Sequence, residues 1–377
     1  MKPENKFITI KDWIAFFATT FLIFLSSLLL VISGAIFYSL RLVRKKPLLV
    51  FLSLFVLILL YFVFQWTAIP ISWQAVGDSV SVIVKEGDSM SKIVQRLEKA
   101  KLINDGTGLL LLSELLGKDR HIRAGRYDFK RGITLYSLFS QLVKGDVILK
   151  EVTIPEGSTL KQTAGILKRE MQIDSTDFVR VAENSQFAQG LGISASSLEG
   201  YMFPDTYKLS WGISSGKVAQ MMVEQFKKTF TDTLQKRAEE INLSAQEVVT
   251  LASLIEAEAK DGKEREIISA VFHNRLKLGM LLQCDPTVIY GLPDIDRPLV
   301  LEDLETGSPY NTYKYPGLPP GPIGNPGKAS LLAALYPADV EYLYFVAKGD
   351  GTHIFSTTLE EHNRAKRKIK QGRKNQT

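Results

Sequence analysis

Two carboxylates, Glu256 and Glu258, stand inside the apolar run LASLIEAEAK at 251–260. A carboxyl group partly withdrawn from water holds its proton more tightly, which suits a general acid working near neutrality. On a helix, at about 100° per residue, Val248, Leu251, Ala252, Ile255 and Ala259 share one apolar face. Glu258 falls on one shoulder of that face and Glu256 on the other. The two are about 200° apart, so no single cleft receives both. At most one is catalytic. Glu258, one turn from Ile255 and two from Leu251, is the better-buried candidate, and Glu256 is the reserve. Periodicity leaves a second reading open, in which a helix-shoulder glutamate is solvated or paired with Lys260, Lys263 or Arg265.

Other polar residues cluster farther along. Asp285, in LLQCDPTVIY, is either a turn-former before Pro286 or a group that orients a substrate hydroxyl. Asp205 in FPDTY carries the same two readings. Arg275 in HNRLK pairs with a carboxylate near the site or with one on the helix surface. The single Cys284 excludes a disulfide within the chain. One Cys and four scattered His argue against a zinc site, and no metal or cofactor is expected.

The elements that must position these residues follow from pattern. SAQEVVTLASLIEAEAKDGKEREIISAVFHNRLKLGM reads as two helices joined near Asp261-Gly262. GLPPGPIGNPG fits neither helix interior nor central strand and must be a loop. The neighbouring Tyr310, Tyr313 and Tyr315 favour an ordered loop lining a surface. KASLLAALYP reads as a helix, and EYLYFVAK and GTHIFSTT as a hairpin across Gly349-Asp350-Gly351. Upstream, VSVIVKEGDSMSKIVQRLEKAKLI and VTIPEGSTLKQTAGILKREMQI share strand, Glu-Gly turn, small hydroxyl residue and helix, with Ser89 a candidate N-cap. This is a β-α unit used more than once, serving either glycan binding or scaffolding alone.

The chain has 377 residues, 45% of them hydrophobic. The apolar excess lies at the N-terminus. Residues 13–40 carry no charge and 47–69 form a second apolar run, which predicts two transmembrane helices. The loop between them, with Arg41, Arg44, Lys45 and Lys46, is expected to stay cytoplasmic and place everything after residue 70 outside. The net charge of +6 comes partly from that loop and partly from the tail NRAKRKIKQGRK. This distribution gives little support to a nucleic-acid role and would suit an anionic wall polymer.

LEGYMFPDTY, LASLIEAEAK, VFHNRLKLGMLLQCDPTVIYG, YNTYKYPGLPPGPIGNPG and YLYFVAKGDGTHIFSTTLEEHN, in this order and over about 80–365, resemble the YceG-like family of endolytic murein transglycosylases. The resemblance implies a membrane-anchored enzyme facing the cell wall. It would cleave glycan strands between N-acetylmuramic acid and N-acetylglucosamine, leaving 1,6-anhydromuramyl ends. The family's E-x-E falls on Glu256 and Glu258, and its essential glutamate on Glu258. Its usual Thr before Asp-Pro-Thr is Cys284 here, and its usual single membrane helix is two. The expected fold class is α+β: N-terminal transmembrane helices, a small LysM-like β-α module, and a mixed α+β catalytic domain with long Pro/Gly/Tyr-rich loops. The expected boundaries are an anchor at 1–70, the module at 80–175, the catalytic domain at 176–365 and a basic tail at 366–377. Glu258 would be the catalytic acid. Asp285, Tyr290, Tyr310, Asn311 and Tyr313 would hold sugar hydroxyls and the N-acetyl group. The expected partners are glycan strands, the membrane and peptidoglycan synthases, at the outer face of the cytoplasmic membrane. A hydrolase of the same polymer and a non-catalytic wall-binding protein remain the alternatives.

Overall fold

The computed structural model describes residues 24, 26–27, 47–69, 78–118, 122–292 and 297–374. The chain divides into two compact units, one of 1–75 with 132–139, the other of 76–131 with 140–377.

In the first unit, α1 (Pro47–Ala68) is apolar on all sides, with most of its leucines and phenylalanines exposed. Among the described residues no helix is long and apolar enough to cross a membrane. This corrects the expectation of N-terminal transmembrane helices. The run 48–64 is interrupted by Ser53 and ends at Gln65; at 1.5 Å per residue it reaches about 25 Å, short of a hydrocarbon core of about 30 Å. The other expected span, 13–40, and the basic loop 41–46 lie outside the described residues apart from 24, 26 and 27.

The second unit is a mixture of helices and three antiparallel strand pairs. Strand β1 (Ser79–Val84) leads through a Glu86-Gly87 turn to α2 (Met90–Lys99), where Ser89 accepts from the Lys92 N–H as the N-cap. The unit continues through α3 (Thr107–Leu116) and β2 (Gly125–Lys130), which pairs with β1. Helix α4 (Leu135–Lys144) follows. The second copy, β3 (Leu149–Thr153) and α5 (Leu160–Met171), repeats the plan with Thr159 and Gln162 in a capping box. Both turn glycines are left-handed, Gly87 at φ +78° and Gly157 at φ +76°, which explains why Glu-Gly recurs in register.

Helices α6 (Ser175–Ala182) and α7 (Ser185–Gly190) lead to β4 (Thr206–Ser210), the partner of β3. Then come α8 (Ser215–Thr229) and α9 (Asp232–Glu240). Helix α10 (Ala245–Glu258) opens with a Ser244/Glu247 capping box, and every residue from Val248 to Ile255 is buried. A 3-10 turn (Gly262–Glu264) joins it to α11 (Arg265–Lys277), which matches the expected break at Asp261-Gly262. After α12 (Asp285–Gly291), the Pro/Gly-rich loop runs into α13 (Lys328–Leu335). The expected hairpin is β5 (Tyr344–Ala347) with β6 (His353–Ser356), and α14 (Leu359–Lys374) follows.

Helix α10 is the spine of the core: Val248, Val249, Leu251, Ala252, Leu254 and Ile255 are all fully buried. The Pro/Gly loop is fastened to it. Gln246 donates to the Pro320 carbonyl at 3.0 Å, and Ser253 Oγ accepts from Ile323 N–H at 3.0 Å. Asn325, fully buried, accepts from Met202 N–H and donates to the Ser158 carbonyl, so the loop also grips the second β-α turn.

Candidate active site

Glu258 is the last residue of α10, and the chain leaves the helix at Ala259 in an extended conformation. A helix C-terminus carries the negative end of the macrodipole, which disfavours another negative charge there. Burial works in the same direction and is the main reason the Glu258 carboxyl holds its proton above the usual carboxylate range. A hydrogen bond from the Cys284 thiol lowers its proton affinity in part, Asp285 raises it, and positive charge on His353 and Lys260 lowers it. Among the described residues no Lys or Arg forms an ion pair with Glu258.

Glu256 is placed very differently. Its Oε1 pairs with Arg265 Nη2 at 3.1 Å, and its Oε2 accepts from Gly327 N–H at 2.9 Å. Arg265 also donates to Ser330 Oγ at 3.1 Å and lies 3.8 Å from Glu156. Both Glu256 oxygens are therefore committed to holding the end of the Pro/Gly loop and the start of α13. The two glutamates serve opposite sides of α10, as their spacing requires.

Cys284 is 1% exposed, and burial beside Glu258 pushes its thiol well above the ordinary range. It is held by its backbone: its N–H donates to Thr312 Oγ1 at 3.0 Å, and its carbonyl accepts from Thr287 Oγ1 at 2.6 Å. Asp285, exposed at the first position of α12, accepts from the Tyr313 hydroxyl at 2.5 Å. A cleft of about 540 Å³ opens along Asp285 and Tyr313, with Val300, Leu301 and Leu304 on its other wall.

Tyr290 and Tyr310 form a half-buried aromatic pair with centroids 4.8 Å apart. The Tyr290 hydroxyl donates to Glu199 Oε2 at 3.3 Å. Asn311 is the exception among the expected substrate contacts. It is fully buried; its amide nitrogen donates to the Leu304 and Thr306 carbonyls, and its oxygen accepts from Tyr313 N–H. It braces the loop and has no atom left for a sugar. Among the described residues Arg275 meets no carboxylate: buried, it donates to the carbonyls of Leu281, Leu282 and Leu343 and lies over the Tyr344 ring. Asp205 accepts from Thr206 N–H within its own turn and from Gln225 Nε2 on α8.

Sequence reasoning overlooked two groups. Glu199, 6% exposed, accepts from Leu160 N–H with both oxygens at 3.0 Å, and burial raises its carboxyl to about 7. It stands in LEGYMFPDTY, an apolar context like that of Glu258, and the same signal would have found it. The other is His353, 8% exposed, whose Nδ1 lies 2.7 Å from Glu264 Oε2. That pairing spans 89 positions, and neither periodicity nor local spacing could reveal it.

The model of the YceG-like family matches residues 82–368. A Bacillus subtilis (strain 168) protein named endolytic murein transglycosylase is 33% identical over 306 residues, covering 77% of this chain and 84% of the relative. A Streptococcus pneumoniae (serotype 2, strain D39) protein of the same name is 28% identical over 323 residues, covering 76% of this chain and 57% of that relative. A crystal structure of a yceG-like protein from Listeria monocytogenes is similar with a TM-score of 0.54 and 31% identity, covering 76% of this chain and 98% of that one.

Proposed function

The chain belongs to the YceG-like family, and from that membership we propose that it is a lytic transglycosylase of peptidoglycan, a lyase acting on a polysaccharide. It cuts the β-1,4 bond between N-acetylmuramic acid and N-acetylglucosamine inside nascent strands, leaves 1,6-anhydromuramyl ends and so limits strand length. It works at the outer face of the cytoplasmic membrane, where that polymer is made, beside a peptidoglycan synthase. Residues 80–175 act as a LysM-like module that holds the glycan. Residues 176–365 carry out the cut, and 366–377 form a basic tail.

The observation that carries this reading is the state of Glu258: partly buried at a helix C-terminus, with its proton affinity raised and, among the described residues, no Lys or Arg in an ion pair with it. A raised proton affinity favours the protonated form, which can deliver its proton to the glycosidic oxygen. As the bond breaks, positive charge develops at the muramyl C1. The muramyl 6-hydroxyl lies on the same sugar, at high effective concentration; it closes the anhydro ring on C1 without consuming water and returns its proton to the Glu258 carboxylate left by the first transfer. Tyr313 supplies a neutral hydrogen-bonding group in the cleft and Asp285 orients a hydroxyl there, while the Tyr290–Tyr310 pair offers a stacking surface for the strand.

Asp285 also gives weight to a hydrolytic reading, because it is a second carboxylate within electrostatic reach of Glu258 and a hydrolase normally uses two. Mass spectrometry of products made from uncrosslinked glycan strands in heavy-oxygen water separates the two. Muramyl ends lighter by one water and free of label are expected. Labelled reducing ends would overturn the transglycosylase reading, and no turnover at all would favour a binding protein.

A further inference from the structure

A second cavity, sharing no lining residue with the Asp285–Tyr313 cleft, lies where the final hairpin meets α14. Its volume is about 380 Å³, within the range of small-ligand sites. One wall is aromatic. Tyr342 stands just before β5 and Phe355 lies in β6, and the pairing of Tyr344 with Ser356 brings their rings together. The centroids are 5.6 Å apart and the planes 29° from parallel. Both rings are only partly buried. The other wall is helical. Glu361, Arg364 and Lys368 recur at i, i+3 and i+7 and so share one face of α14. Ala365, between them, is buried and seats that face on the hairpin.

The charges on the helical wall are unequally engaged. Glu361 is committed to the start of the helix. Its Oε2 accepts from Thr357 N–H at 3.1 Å, from the Thr357 hydroxyl at 3.0 Å and from Thr358 N–H at 3.3 Å. Arg364 reaches Glu360 at 3.1 Å, but both side chains are exposed, and such a pair yields readily to a better-placed anion. Among the described residues Lys368 forms no ion pair. The cavity thus joins an aromatic surface to two cations that no carboxylate holds firmly.

We propose that this cavity is an accessory subsite for the acidic sugar of a glycan strand, the muramyl unit, bound apart from the bond being cut. The inference rests on the reading of peptidoglycan as the substrate. Aromatic rings pack against the C–H face of a pyranose, and Arg364 and Lys368 receive a carboxylate. A neutral sugar would leave both cations unused, and a bare anion would leave Tyr342 and Phe355 unused. Of the two alternating sugars, only the muramyl unit joins a pyranose ring to an acid. Its lactyl group ends in a free carboxylate, or carries a stem peptide with carboxylates of its own. No bond forms or breaks at this site.

The test is calorimetric titration of the full chain with N-acetylmuramic acid, N-acetylglucosamine, lactate and muramyl dipeptide. None of these contains the bond to be cut, so turnover does not interfere. N-acetylmuramic acid should bind at least about threefold more tightly than N-acetylglucosamine or lactate, since it alone uses both walls. Replacing both cations, Arg364→Gln with Lys368→Gln, should weaken its binding about three- to tenfold, and added salt should weaken the parent in the same direction. Both positions are exposed, and thermal unfolding identifies a misfolded variant. Should the double variant unfold, Lys368→Gln alone takes its place. Preference for N-acetylmuramic acid over muramyl dipeptide would assign the site to the free lactyl carboxylate, and the reverse preference to the stem peptide; either supports the proposal. Lactate or N-acetylglucosamine binding as tightly as N-acetylmuramic acid overturns it, and so does unchanged affinity in the folded charge variant. Failure of the transglycosylase reading is recognised separately, by heavy-oxygen label in the products of the unmodified protein.

Discussion

The Cys284 thiol donates its hydrogen bond to the Glu258 carboxylate across the gap between the end of α10 and the start of α12. This bond eases proton loss from Glu258, against the opposing effects of burial and Asp285. Cys284→Ala removes the donor and should move the basic limb of the activity–pH profile to higher pH, because Glu258 then keeps its proton longer. The effect on maximal rate should stay below about tenfold, since a thiol is a weak donor. Cys284→Thr, with a hydroxyl in place of the thiol, should restore the original limb. The pH–rate profiles of the three proteins provide the measurement.

Glu256 and Glu258 should separate cleanly on substitution. Glu258→Gln removes the proton donor and should lower turnover at least about 10²–10⁴-fold. It also relieves a buried carboxyl of the need to ionise, so the variant should unfold at an equal or higher temperature above the carboxylate range. Glu256→Gln should instead cost about 1–3 kcal/mol of stability through its weakened bond to Arg265, with turnover per folded molecule close to the parent. Turnover lost in Glu256→Gln and kept in Glu258→Gln would reverse the assignment.

Glu199 gives the fold a pH dependence. Its carboxyl is raised from 4.5 to about 7, so between those values the folded chain binds more protons than the unfolded chain. Stability therefore falls as pH rises from 4.5 to about 7 and is level above that. The whole loss amounts to about 3 kcal/mol at 1.36 kcal/mol per unit. Glu199→Gln should flatten this slope, which denaturant midpoints at pH 5 and pH 8 would reveal.

Asn311→Ala should act on stability. The change removes three hydrogen bonds from a fully buried amide and leaves the Tyr313 N–H and two carbonyls to find other partners. A cost of about 1–3 kcal/mol is expected. Gly324→Ala should cost a similar amount, since a Cβ there would stand 2.6 Å from the Gly157 carbonyl oxygen, a backbone atom with little room to move. A shift in KM for Asn311→Ala with unchanged unfolding would point instead to a direct sugar contact.

The sequence was legible where its signals were local. The Glu-Gly turns, the break between α10 and α11 and the final hairpin all follow from periodicity and turn chemistry. The opposite bearings of Glu256 and Glu258 follow from helical spacing alone. Contacts between distant segments left no such trace. Arg265 claims Glu256 through a side chain that could as readily have pointed to water. Asn311 has the composition of a sugar ligand, yet its burial is set by how the loop 304–313 folds back on itself. At the N-terminus, apolar composition was read as two membrane spans, but the helix that forms over Pro47–Ala68 is not long and apolar enough to cross a membrane.

The grip of Asn325 on Ser158 and Met202, together with that of Glu199 on Leu160, bears on how the protein can be divided. A fragment beginning at residue 176 would lose Ser158 and Leu160 at once. The Asn325 amide nitrogen would lose its acceptor, and the Glu199 carboxyl would lose the backbone N–H that both its oxygens share. The second β-α turn is thus a keystone of the part of the chain that follows it, and modularity read from sequence repeats does not extend to separability. The first copy is tied to the rest through Glu86, which accepts from Ser214, whereas the second copy is clasped by the Pro/Gly-rich loop and must change together with it.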